Sequence, residues 1–232
     1  MTNKVIRVAL ADDHPAVLAG IKAVLSKVES MQVVGTASNS TELMELLGQN
    51  KCDVLVADYA MPGGKYGDGF ALLSLLRRRF PDLKIIVFTG VANGPVTQEL
   101  SKIGIYAVLN KSDDMIHLVA AIHAVFSGAS YTAPSARNLQ QLTNKGQAAT
   151  QTLSIRETEV IRLYLSGLTV REISEQLHRA KQTVSAQKVS AMRKLGAKRE
   201  TDLFRLAAEV GIVASPETTF SADDSDTEGV TP

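Results

Sequence analysis

The chain begins with short, unbroken apolar runs separated by longer stretches in which apolar residues recur every three or four positions. The runs fall at residues 5–11, 54–57, 84–88 and 106–110. Helical spacing is seen at Val17, Leu18, Ile21, Val24 and Leu25, and again at Leu118, Ala121, Ile122, Val125 and Phe126. Buried runs alternating with amphipathic helices predict a parallel α/β sheet built from five strand–helix units over residues 5–127. The pattern then changes. Residues 129–152 are rich in Gly, Ser, Ala, Gln, Thr and Asn, as a linker is. Residues 153–213 return to helical periodicity without strands, and residues 214–232 are a Ser-, Thr-, Asp- and Pro-rich tail with the composition of disorder. The expected organisation is therefore an α/β domain at 1–128, a linker at 129–152, a small all-α domain at 153–213 and a tail at 214–232.

Helix punctuation sharpens the second domain. Ser154 with Glu157, and Thr169 with Glu172, match the capping box, in which hydroxyl and carboxylate satisfy free amides at a helix start. Gly167 and Gly196 stand where C-terminal glycines stand. These marks predict helices over 155–166, 170–177, 183–195 and about 201–210. A tight turn at His178-Arg179-Ala180, followed by a helix bearing basic residues, describes a helix-turn-helix.

The formal charge of +1 over 232 residues is uninformative until it is divided along the chain. Residues 178–199 hold seven Lys or Arg and no acid, whereas residues 216–232 hold five acids and no base. The basic stretch coincides with the third helix of the second domain, which predicts double-stranded DNA as a partner. Lys188, Arg193, Lys194, Lys198 and Arg199 are expected to neutralise phosphates, and Thr183, Ser185, Ala186, Gln187 and Val189 to reach base edges. No apolar run approaches the roughly 18 residues of a membrane span. The first residues lack the features of a signal peptide, and the single Cys52 excludes an internal disulfide, so a cytoplasmic location is expected.

The chemistry sits at the ends of the apolar runs. Asp12 and Asp13 follow the first, Asp58 the second, Thr89 ends the third and Lys111 follows the fourth. In parallel sheets functional groups collect at the carboxyl ends of the strands. Three carboxylates, a hydroxyl and an ammonium converging there suit Mg²⁺-assisted phosphoryl transfer, because Mg²⁺ prefers oxygen ligands beside a phosphate. Asp58 is the candidate nucleophile, Asp12 and Asp13 the candidate metal pair, and Thr89 and Lys111 the candidate phosphate contacts. A single Asp pair after a strand is more often a helix cap. Four functional strand ends in succession reverse that weighting.

These residues carry a resemblance. Ala11-Asp12-Asp13-His14-Pro15, Asp58-Tyr59-Ala60-Met61-Pro62, Thr89-Gly90 and Lys111 resemble the receiver domain of two-component response regulators. Leu153-Ser154, Arg156-Glu157, Glu159-Val160, Gly167-Leu168-Thr169, Glu172-Ile173, Thr183-Val184 and Lys194-Leu195-Gly196 resemble the LuxR-type DNA-binding domain. Together they identify the chain as similar to the NarL/FixJ family. The glycine-rich segment 61–69 and segment 187–196 resemble the branch of that family that governs capsule synthesis through a phosphorelay. The resemblance implies a flavodoxin-like doubly wound (βα)5 receiver followed by a helix-turn-helix domain. It further implies Asp58 as phosphoacceptor and Mg²⁺ on Asp12, Asp13, Asp58 and the Ala60 backbone carbonyl. A histidine kinase or phosphotransfer protein would be the donor, and a homodimer forms on phosphorylation or a heterodimer with an auxiliary regulator.

Two departures qualify this. Many receivers carry an aromatic three residues before the lysine. Val108 stands there, with Tyr106 at the wrong offset, which raises an alternative in which a partner protein rather than phosphorylation sets activity. Lys188 occupies a position that is usually apolar. A haloacid-dehalogenase-like phosphatase also uses a strand-end Asp with Mg²⁺, but needs a second Asp two residues later, where this chain has Ala60. A transcription regulator rather than an enzyme is expected.

Overall fold

The computed structural model describes residues 5–90, 94–133 and 153–209. The first domain alternates strands and helices: β1 (Ile6–Ala11), α1 (Pro15–Leu25), β2 (Met31–Ala37), α2 (Ser40–Gln49), β3 (Val54–Ala57), α3 (Gly69–Arg79), β4 (Lys84–Thr89), α4 (Gly94–Lys102), β5 (Ala107–Asn110) and α5 (Met115–Phe126). All strands pair in parallel, in the order β2-β1-β3-β4-β5, and helices cover both faces. The period-two alternation explains the layering. Ala9, Leu55, Ala57, Ile85 and Val87 face one core with α2 and α3, whereas Val8, Leu10, Val54, Val56, Ile86 and Phe88 face the other with α1 and α5. Burying each of the larger side chains contributes about 1.5–3 kcal/mol.

The sheet is longer than expected by one strand. Tyr131–Thr132, inside the segment read as linker, form β6, which pairs in parallel with β5, and Ala133 behind it is fully buried. Two residues carry no readable alternation, so this strand is invisible to pattern analysis. The rest of the expected linker, from 134 to 152, and the acidic tail lie outside the described residues.

The second domain holds α6 (Ile155–Leu165), α7 (Val170–Gln176), α8 (Lys181–Leu195) and α9 (Glu200–Glu209). Both expected capping boxes are formed: the Ser154 and Thr169 hydroxyls accept from the amides of Glu157 and Glu172, whose carboxylates accept in return. Gly196 ends α8 in the left-handed conformation at φ 75°. Helix α8 starts two residues before the expected Thr183. Its N-cap is Ala180, which offers no side-chain bond and so leaves no mark in the sequence. The turn from α7 into α8 is tight enough to put His178 at φ 50°.

Candidate functional site

Parallel register brings the phosphoryl-site residues together. The Asp12 amide donates to the Ala37 carbonyl, the Asp58 amide to Ala11 and the Lys111 amide to Thr89, so each strand end is tied to its neighbour. Lys111 Nζ lies 2.7 Å from Asp12 Oδ2 and 2.8 Å from Asp58 Oδ2. Asp12, Asp58 and Thr89 are buried. Burial pushes the Asp58 carboxyl above its ordinary value, an effect that Lys111 only partly offsets. Burial would lower the Lys111 ammonium, but Asp58 and Asp12 outweigh it and hold the group charged. Oxygens of Asp12, Asp13 and Asp58, together with a ring nitrogen of His14, all fall within 4.8 Å of one another. The Asp58 Oδ1 atom is buried without a hydrogen-bond partner. His14 Nδ1 is 3.0 Å from Asp12 Oδ1 and 2.9 Å from Asp13 Oδ1, which makes it a bridge between the pair.

That donor set fits a hard divalent cation. It offers three carboxylates, among them the unpartnered buried Oδ1 of Asp58, and the nitrogen group is already engaged with the carboxylates. Ala60 follows Asp58 by two residues on the turn leaving β3, where its carbonyl stands as a candidate further ligand. Val108, at the position where an aromatic was sought, is buried in β5. Tyr106 is held elsewhere, with Lys84 Nζ 4.9 Å and the Arg77 guanidinium 5.9 Å from its ring centre. Cys52 donates to the Val54 carbonyl at 3.1 Å, and burial pushes its thiol up to about 11, in keeping with a packing role.

The loop leaving Asp58 leads to the second domain. Its Lys65 and Tyr66 amides donate to Thr41 Oγ1 at 2.9 Å and Ser40 Oγ at 3.2 Å, pinning it on the start of α2. Asp68, at the N-cap of α3, makes no side-chain bond to its own helix. It accepts instead from Arg162 of α6 at 2.6 Å, with both side chains at least nine-tenths buried. Glu159 of α6 pairs with Arg179 at 2.8 Å, just ahead of α8. A Cβ at Gly69 would lie 3.3 Å from Tyr59 Cζ and 3.5 Å from Glu159 Oε1, so the domains meet backbone to side chain there. Ile155 completes the apolar cluster of the first domain. This junction was absent from the sequence reading, because its partners lie 94 residues apart and no local spacing links them.

Helix α8 leaves part of its surface open to solvent. Thr183, Ser185, Ala186 and Val189 are exposed, and the last three line a shallow groove whose rim includes Lys181, Gln182 and Arg193. Three further residues expected at the DNA are engaged within the domain or half-buried. Lys188 Nζ sits 3.8 Å above the Tyr164 ring and 2.6 Å from Glu200, with its side chain only 12% exposed. Lys194 bonds Glu157 at 2.7 Å. Gln187 is half-buried, with its Oε1 buried. In both lysines the charge is satisfied by an acid of the same domain, so neither lines the groove.

A parallel sheet with an acidic, lysine-closed site at its strand ends, joined to a capped helix-turn-helix, defines a response regulator. Residues 8–123 match the family model "Response regulator receiver domain", and residues 151–207 match "Bacterial regulatory proteins, luxR family". The chain belongs to the response regulators that join a receiver to a LuxR-type DNA-binding domain. More particularly, it is 37% identical to the transcriptional regulatory protein RcsB of Escherichia coli (strain K12) over 205 residues, covering 88% of this chain and 95% of that protein. It is 30% identical to the response regulator UvrY of the same strain over 211 residues, covering 89% and 95%. Among solved structures it resembles RcsB from Salmonella enterica serovar Typhimurium bound to promoter P1flhDC in the presence of phosphomimetic BeF3-. That match has a TM-score of 0.76 and 36% identity, and covers 88% of this chain and 99% of that one.

Proposed function

We propose that this protein is a cytoplasmic transcription regulator, without turnover on external substrates, whose DNA binding is switched by phosphorylation of Asp58. The observation that carries the reading is the Lys111 bridge. Lys111 holds Asp58 Oδ2 beside Asp12 and leaves Oδ1 as the free nucleophilic oxygen. Asp58 Oδ1 attacks the phosphorus of a phosphohistidine on a histidine kinase or phosphotransfer protein. An O–P bond forms, the P–N bond breaks, and the departing imidazole takes up a proton. Lys111 then offsets charge on the phosphoryl oxygens, and the Thr89 hydroxyl donates to one of them. Mg²⁺, held by Asp12, Asp13, Asp58 and the Ala60 carbonyl, would supply further positive charge at the transferring group.

The acyl phosphate biases a pre-existing equilibrium toward a dimer, which sets two α8 helices on two DNA half-sites. The promoter complex of the Salmonella RcsB relative supports the DNA-binding part of this reading. The test is binding of the full chain to promoter DNA at fixed salt with Mg²⁺, with and without beryllofluoride. Tighter binding with beryllofluoride, lost in Asp58→Asn, is expected.

A second reading is favoured by Val108, which stands buried in β5 where many receivers carry an aromatic. In it an auxiliary regulator sets activity by forming a heterodimer. Good DNA binding that ignores beryllofluoride would select that version.

A further inference from the structure

The groove on α8 says more than that DNA binds there. Helix α8 carries four Lys or Arg and no acid, but Lys188 and Lys194 are drawn inward to Glu200 and Glu157. Lys181 and Arg193 remain at the two ends of the groove and join no ion pair among the described residues. A surface charged only at its ends and rimmed by cations complements a polyanion, and double-stranded DNA is the occupant that fits an exposed helix.

Beside the Ser185 and Ser190 hydroxyls, that surface is apolar. Ala186 and Val189 stand three residues apart on one helix face, and Val189 is 62% exposed. Neither offers a hydrogen bond, and no arginine or asparagine stands between them to grip a purine edge. Among groups in the major groove, the thymine 5-methyl is the one that apolar side chains recognise.

Resting on the DNA-binding reading above, we propose that Val189 and Ala186 read thymine 5-methyl groups, so that methyl contacts at A·T pairs set the sequence preference. Gln182, at the groove edge, has the amide that pairs with adenine N6 and N7 and can serve a neighbouring A·T pair.

The test uses the full chain with Mg²⁺ and beryllofluoride at one salt concentration. A duplex is selected by this protein from a randomised pool, then remade with deoxyuridine at one thymidine at a time. Deoxyuridine removes the methyl and keeps every hydrogen-bonding group. At one or two positions binding is expected to weaken about fourfold, the equivalent of about 0.8 kcal/mol for one methyl-sized group removed from water. Val189→Ala, a surface change that leaves the core untouched, should bind the thymidine duplex more weakly and be indifferent to the methyl at one of those positions. Equal binding of thymidine and deoxyuridine duplexes throughout would overturn the proposal. A Val189→Ala protein that keeps every fourfold loss would overturn it for Val189. Failure to retain any duplex from the pool would instead overturn the DNA-binding reading, and this inference with it.

Discussion

Arg162 Nη2 lies 2.6 Å from Asp68 Oδ2, and this ion pair joins the DNA-binding domain to the loop that follows Asp58. Asp68 forgoes capping α3 to make it. Removing one partner of a buried pair strands the other charge, which typically costs about 3–5 kcal/mol. The Arg162→Met variant is therefore expected to undock the domains, with a larger radius of gyration by small-angle scattering. Adding Asp68→Leu should restore the compact form. An unchanged radius in the single variant would show that the pair does not hold the junction.

Lys188 and Arg193 should behave oppositely at the DNA. Each phosphate contact contributes about one unit to the slope of log affinity against log salt. Arg193→Gln should lower that slope by about one. Lys188→Met should leave it unchanged, because Lys188 is occupied with Tyr164 and Glu200. Binding titrations at several salt concentrations separate the two.

Glu157 gives the second domain a definite acid limit. Burial alone would raise its carboxyl. Bonds from Lys194, the Ser154 amide and hydroxyl, and Ser190 prevail and bring it down to about 2, from an ordinary value of 4.5. A group depressed in the folded state stabilises above its unfolded pKa, and that contribution is lost as pH falls through the folded one. At pH 7 Glu157→Gln should therefore be less stable in urea unfolding, by about 1–2 kcal/mol once solvent screening of the pair discounts the shift. The gap should close between pH 4.5 and 2. A gap that ignores pH would remove Glu157 as its source.

Two glycines should respond with opposite signs to alanine. A Cβ at Gly64 would lie 2.0 Å from Ser40 Oγ and 2.6 Å from its backbone nitrogen, at the start of α2. Gly64→Ala is expected to lose about 1–3 kcal/mol and to loosen the loop after Asp58. Gly20, in the middle of α1, has nothing within 4 Å of such an atom. Gly20→Ala should gain about 0.5–1 kcal/mol. Thermal melting of the two variants reads both.

The sequence was most legible where chemistry repeats a position. Asp12, Asp58, Thr89 and Lys111 each stand at a strand end, so alternation of strands and helices alone predicts that they meet. The capping boxes were equally plain, because both partners lie three residues apart. The pairing of Lys188 with Glu200 left no mark, because basic spacing on a helix does not tell which lysine finds an acid of its own domain. Asp68–Arg162 and Glu159–Arg179 could not be seen at all. Each pair depends on how elements pack, and nothing near either residue marks it.

Strand β6 also fixes where the first domain can be cut. A fragment ending at residue 128 would keep every helix of that domain yet strip Tyr131–Thr132 from β5. The bared edge, with the apolar residues Ala107, Val108 and Leu109 along it, would present unpaired amides and carbonyls to any passing chain, the usual starting point of sheet-to-sheet aggregation. A fragment carried through Ala133 keeps its own guard strand and should stay in solution where the shorter one precipitates.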